Sequence, residues 1–209
     1  MKLTKYGHAC VTIESGGTTI LVDPGTFTEE RVELLRSADA VLITHDHFDH
    51  YDADAIRAEL AARPGLPVYA PGSVAGELDG VTEVSTGDEF TVAGIAVQAF
   101  IEPHAFIYGD QPQTPNAAFL IGGAVYHPGD TFFVPDVAID TLLVPTSGPW
   151  VKLGEAIQFA IDAKPRRAIQ IHEMLLTEMG QQMSARMIGP DGFGTVPLEI
   201  LPVGGFVEV

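Results

Sequence analysis

Residues 44–50 read THDHFDH and hold three of the chain's seven histidines together with two aspartates. Imidazole and carboxylate are the side chains that ligate first-row divalent metals. His45 and His47 stand two apart, so in an extended loop they project to the same side and can hold one ion. Asp49 and His50 are adjacent and must point differently, which suits a second ion close by. Two-metal hydrolytic sites set their ions ~3.5–4 Å apart. Packing Asp46 and Asp49 among three imidazoles is costly unless a strong positive charge sits among them. A divalent cation is the simplest such charge.

These residues need elements to position them. AVLIT (40–44) reads as a strand buried on both faces. DADAIRAELAAR (52–63) reads as a helix, with Ile56 and Leu60 four apart and acids in its first turn. ACVTIES (9–15) and TTILVD (18–23) flank a Gly-Gly turn as a hairpin, and PVYA (67–70) is a strand. DEFTVAGIAVQAF (88–100) is a hairpin turning at Gly94, and AAFLIGGAVYH (117–127) another turning at Gly122 and Gly123. TLLVP (141–145), GEAIQFAIDA (154–163) and AIQIH (168–172) then alternate strand, helix and strand. A helical segment around 173–188 and a closing strand pair near 198–209 follow. Hairpins mixed with strand–helix–strand units predict sheets covered by outer helices, in a single domain over 1–209. On this plan Asp23, His45, His104, Asp130 and His172 all fall at strand exits, and such positions converge on one rim.

Composition narrows the function. Apolar residues make up 46% and charged residues 19%, which fits a compact fold. No apolar run approaches the ~20 residues of a membrane span. MKLTKYGHAC lacks the apolar core of a signal peptide, so a cytoplasmic protein is expected. Cys10 is the single cysteine, which excludes a disulfide framework and a multi-thiolate zinc site and leaves it a small core residue. Net charge is -17, and residues 64–151 contain no Lys or Arg. Such a surface repels phosphate backbones and anionic membranes, so neither nucleic acid nor membrane is an expected partner. The expected partner is a small-molecule substrate, with homo-oligomer formation left open.

THDHFDH matches the H-x-H-x-D-H motif of the metallo-β-lactamase superfamily. The order Asp23, H-x-H-x-D-H, His104, Asp130, His172 resembles that superfamily's motif order over nearly the whole chain. KYGHACVTIE, YHPGDT and IQIHEM are similar to its branch of small metal-dependent hydrolases, which includes L-ascorbate-6-phosphate lactonase-like proteins. The resemblance implies an α+β fold, the four-layer αββα sandwich. It implies that His45, His47 and His104 bind a first metal, that Asp49, His50 and His172 bind a second, and that Asp130 bridges them. Asp23 resembles the aspartate that orients ligand histidines from behind, Thr44 is read in the same part, and His8 of GHAC is expected to approach the site. Two divalent ions are implied, zinc foremost, with Mn, Fe, Ni and Co compatible with the same donors.

Such a centre implies a metal-activated hydroxide, oriented by Asp49, acting on an ester, a lactone or a phosphorylated metabolite. The leaving group's proton is read as coming from water on the second metal or from His127, three residues before Asp130, whose other reading is a supporting or packing role. In TSGPWVKLG (146–154), Trp150 and Lys152 are read as contacts for apolar and anionic parts of a substrate. The Pro-rich 104–116 segment is read either as a loop over the site or as plain connecting chain. No thiolate ligand follows Asp130, so the site departs from the thiolate-containing β-lactamases. The alternatives are an iron-dependent thiol dioxygenase or other redox enzyme on the same scaffold, or an inactive metal-binding protein.

Overall fold

The computed structural model describes residues 1–92, 94–110 and 112–209. Ala93, within the expected 88–100 hairpin, and Gln111, within the expected 104–116 loop, lie outside the described residues. The first half of the chain runs β1 (Lys2–Gly7), β2 (Cys10–Ser15), β3 (Thr18–Val22), α1 (Arg31–Ser37), β4 (Ala40–Leu42), α2 (Ala53–Ala62), β5 (Val68–Ala70), α3 (Gly72–Ala75) and β6 (Val81–Glu83). The rest runs β7 (Glu89–Val92), β8 (Ile95–Pro103), β9 (Pro115–Ile121), β10 (Val125–His127), β11 (Thr141–Pro145), α4 (Leu153–Ala163), β12 (Arg167–Ile171), α5 (Glu178–Ile188), β13 (Leu198–Glu199) and β14 (Phe206–Glu208).

The strands form two seven-stranded sheets, ordered β14-β1-β2-β3-β4-β5-β6 and β13-β12-β11-β10-β9-β8-β7. Inward-facing residues of both sheets, such as Val11, Ile13 and Ile20 from one and Val97, Phe119 and Ile169 from the other, share one core. Leu35, Ile56, Leu60 and Val74 pack on the outer face of the first sheet against Leu21, Val41 and Val68. Phe159, Ala156 and Ile188 do the same on the second, against Leu120, Leu142 and Val144. Each sheet therefore buries both faces, giving the expected αββα layering.

Strand direction creates the site. β1 is antiparallel to β2 and β2 to β3, so β1 and β3 run the same way, and β4 is parallel to β3. In the second sheet β8 and β10 are both antiparallel to β9, and β11 and β12 are parallel to β10. The carboxyl ends of β1, β3 and β4, and those of β8, β10 and β12, carry the candidate residues, as open sheets with parallel strands tend to do.

Two expectations need correction. The closing segments near 198–209 do not pair with each other. β13 adds to β12 in the second sheet and β14 to β1 in the first, so each covers an otherwise free edge. The helix expected around 173–188 starts only at Glu178, where Thr177 caps it by accepting from the Gly180 N–H. Residues 173–177 instead remain outside the helix.

Candidate metal centre

The segments leaving the strands approach so closely that two glycines are required. A Cβ on Gly25, just past β3, would lie 1.9 Å from the backbone oxygen of Asp49. Gly129 has φ +63, and its Cβ would fall 2.2 Å from Asn116 Oδ1 and 2.8 Å from Thr44 Cβ. His8, Asp23 and His172 also adopt left-handed backbone, at φ 49, 51 and 58. Non-glycine residues pay for this conformation, and such residues cluster at functional sites.

Six of the seven histidines and two aspartates converge at this rim in two groups. His45, His47, His104 and Asp130 form one, and His8, Asp49, His50 and His172 the other. Within each group the offered atoms all lie within 4.8 Å of one another. In the first, His45 Nε2 is 3.1 Å from His47 Nδ1, and His104 Nε2 is 3.3 Å from Asp130 Oδ2. In the second, His50 Nε2 is 3.0 Å from His172 Nε2, and His8 Nε2 is 2.9 Å from Asp49 Oδ2. Asp130 stands between the groups, because its Oδ1 lies 3.1 Å from Nε2 of both His50 and His172.

Partners behind the rings set their orientation. The Nδ1–H groups of His104 and His172 donate to the Ala105 and Ser147 carbonyls at 2.6 and 2.5 Å. His50 Nδ1–H donates to Asp23 Oδ2 at 2.7 Å. His45 Nδ1–H donates to Thr44 Oγ1 at 3.0 Å, and Thr44 in turn donates to Asp23 Oδ2 at 2.8 Å. Asp23 Oδ1 accepts the Thr44 backbone N–H at 2.8 Å, so one buried carboxylate fixes two rings and the loop between them. Four rings thus turn Nε2 inward. Trp150 Nε1–H donates to Asp130 Oδ2 at 2.7 Å, and the Asp130 backbone N–H donates to Asn116 Oδ1 at 2.9 Å.

Burial dominates the electrostatics, modified by neighbours. It pushes His45 well below its ordinary pKa, with His50 adding to the effect, and lowers His47, with His104 adding. For His50 the carboxylates of Asp130 and Asp23 outweigh burial and raise the pKa well above its ordinary value. Burial opposes ionisation of Asp130, but His50 and His172 more than offset it and hold the carboxyl well below the usual range. Asp49, despite burial, is held at about 2 by the hydrogen bond from His8 and the charge of His50.

The donor set fits metal. Ring nitrogens facing one another at about 3 Å carry lone pairs that repel unless a cation or proton lies between them. Asp130 Oδ1 is buried and receives no directed hydrogen bond despite its two close nitrogens, and His8 Nδ1 is likewise without one. Imidazole and carboxylate without thiolate suit zinc and the neighbouring divalent metals.

A family profile described as the beta-lactamase superfamily domain matches residues 2–172. The chain belongs to that superfamily. A Mycobacterium tuberculosis protein is 36% identical over 182 residues, covering 84% of this chain and 85% of that one. A protein of Rubrobacter xylanophilus, named a UPF0173 metal-dependent hydrolase, is 30% identical over 157 residues, 66% of this chain and 64% of its own. The metallo-beta-lactamase fold protein YhfI of Bacillus subtilis superposes with a TM-score of 0.75 at 15% identity, covering 99% and 98% of the two chains. That likeness concerns the fold alone.

In this superfamily member, the residues singled out from sequence divide. His45, His47, Asp49, His50, His104, Asp130 and His172 come together, with Asp23 and Thr44 behind them. His8, expected only to approach, stands inside the second group. Trp150 lines the cavity beside the groups and also holds Asp130. Lys152 points elsewhere: its ammonium pairs with Glu155 at 2.8 Å and its side chain is 78% exposed. It does not line the cavity. His127 does not fit a proton donor. Its Nε2–H donates to the Ala9 carbonyl at 2.9 Å, its Nδ1 accepts from the Gly129 N–H, and burial lowers its pKa. It is committed to bracing β10 and the turn that presents Asp130.

Sequence reasoning missed Asn116, Lys5 and Glu173. Glu173 accepts from the buried Lys5 ammonium and from the His8 backbone N–H, tying the two left-handed strand exits together. The buried lysine on an alternating strand and the acid directly after His172 were the available signs.

Proposed function

We propose that this protein is a metal-dependent hydrolase, with divalent ions held by the two groups and with a small-molecule ester or lactone as substrate. The observation that carries this reading is the convergence of six imidazoles and two carboxylates at one rim beside a cavity, with four of the rings and Asp130 oriented from behind. Divalent ions, when bound, supply a water acidic enough to attack near neutral pH and a Lewis acid for the substrate's oxygen. The chain's own residues supply position and charge. Asp49 stays ionised and lines the cavity, so it can accept a hydrogen bond from an attacking water and aim its lone pair. Asp130, fixed by Trp150 and Asn116, reaches both groups at once. Asp23 and Thr44 keep the His45 and His50 rings from rotating, which preorganises the site before substrate arrives. The chain's acidic balance and the absence, among the described residues, of a lysine or arginine lining the cavity support an uncharged substrate over a phosphorylated one.

Metal analysis of the purified protein, followed by a panel of lactones, esters and phosphodiesters, tests the proposal. Two zinc or manganese ions per chain with ester or lactone turnover are expected. One iron per chain with oxygen uptake would overturn it in favour of redox chemistry, and turnover retained in His47→Ala would sink the site assignment.

A further inference from the structure

Beside the two groups lies a cavity of about 350 Å³, near the lower end of small-molecule sites. At ~30 Å³ per water-sized unit it has room for about a dozen non-hydrogen atoms. Apart from the candidate ligands its lining is Phe27, Phe48, Ile107, Pro149, Trp150 and Leu175. The Phe27 ring packs edge-on against both His8 and Phe48, at 5.0 and 5.5 Å between centroids. The Trp150 ring lies 6.0 Å from both His104 and His172. Apolar surface therefore begins directly at the polar floor.

Among the described residues, no lysine or arginine lines this cavity. The neighbouring cations are engaged: Lys5 with Glu173, Arg31 with Asp52, and Lys152 with Glu155. Sites that recognise phosphoryl groups supply such donors, usually as bidentate arginine or as lysine. Phe48, Ile107 and Leu175 are 63%, 43% and 63% exposed, so large apolar side chains gather at the opening instead. Exposed apolar residues are ordinary when scattered, but gathered round a cavity they mark a binding surface.

We propose that this cavity binds the non-reacting part of the substrate as a short hydrocarbon or aryl group, making the substrate an uncharged apolar ester, thioester or lactone. Hydrolysis forms a bond from the acyl carbon to the oxygen of water and breaks its bond to the leaving oxygen or sulfur, which departs with a proton from that water. Turnover of such compounds rests on the hydrolase reading above; their binding does not.

Trp150 is the chain's single tryptophan, so its fluorescence reports occupancy of the cavity without any turnover. The full-length, zinc-loaded protein is titrated with methyl ketones of increasing chain length, which resemble esters but cannot be hydrolysed. Binding should tighten about fourfold per added methylene until the cavity is full. In parallel, kcat/KM for p-nitrophenyl acetate, butyrate and hexanoate should rise with chain length and exceed that for p-nitrophenyl phosphate by at least about a hundredfold. Phe48→Ala should flatten the chain-length dependence at unchanged metal content. Leu175→Lys should weaken ketone binding and raise phosphate-ester turnover. Fluorescence that ignores chain length, or phosphate esters cleaved as well as hexanoate, would overturn the proposal even if esters are hydrolysed. Chain-length-dependent binding without turnover of any ester would leave the apolar site standing and remove the hydrolase reading.

Discussion

At the floor of the site, His50 is tied to Asp23, His45 to Thr44, Asp130 to Trp150 and Asn116, and His172 to Ser147, all in buried positions. At its mouth, Phe48, Ile107 and Leu175 stand 43–63% exposed. The floor is a set of polar groups that burial makes costly unless each is satisfied, so every member depends on its neighbours. The mouth is apolar surface whose members contribute by area and can be exchanged singly. Damage to the floor should therefore be cooperative and large, and damage to the mouth graded and small.

The sharpest break should come from Asp130→Asn, which removes the carboxylate standing between both groups. Metal content measured by mass spectrometry should collapse, with a loss in kcat/KM beyond the 10–100-fold typical of residues that only orient ligands. Asp23→Asn should fall within that 10–100-fold range in metal affinity, because the ligands remain and only their orientation loosens. Equal effects from the two variants would erase the distinction between holding metal and aiming its holders.

The floor should also respond to pH. Asp130 and Asp23 raise the His50 pKa well above its ordinary value, so in the metal-free protein this ring holds a proton that an ion must displace. Metal affinity should then rise with pH, by up to about tenfold per unit for one released proton. Binding calorimetry in buffers of different ionisation enthalpy would count that proton, and a pH-independent affinity would contradict it. Asp49 has the opposite sign with respect to stability. Its carboxyl is depressed to about 2, so its contribution is present above the unfolded value of ~4 and lost as pH falls towards 2. Asp49→Asn should flatten acid unfolding in that window.

Gly129→Ala, which forces a Cβ into left-handed backbone against Asn116 and Thr44, should destabilise the fold by at least about 1–3 kcal/mol in chemical denaturation. At the mouth, Phe48→Ala should leave metal content unchanged and alter kcat/KM on apolar esters by less than about tenfold. Loss of metal in that variant would show that mouth and floor are one unit.

Much of the floor was legible because metal ligation demands a few residue types at short spacing. THDHFDH announced itself, and Asp23, His104, Asp130 and His172 were marked by falling at strand exits that the alternation of apolar residues had located. His127 shares that placement and failed, because its ring turns back under β10 to the Ala9 carbonyl, and position along a strand does not fix ring direction. His8 gave too little sign of its place in the second group. That place depends on left-handed backbone and on Glu173, far along the chain. Lys152 misled for a simpler reason: a cation next to a helix start found its partner one turn away.

The sequence by itself determined which side chains could hold metal and which strands would deliver them, because donor type and strand period are local properties. Tertiary structure alone decided that His8 joins the second group and that the mouth is apolar and, among the described residues, lacks a cation. Those depend on where segments distant along the chain meet: Phe27, Ile107, Trp150 and Leu175 come from four separate loops, and nothing in their spacing places them around one cavity.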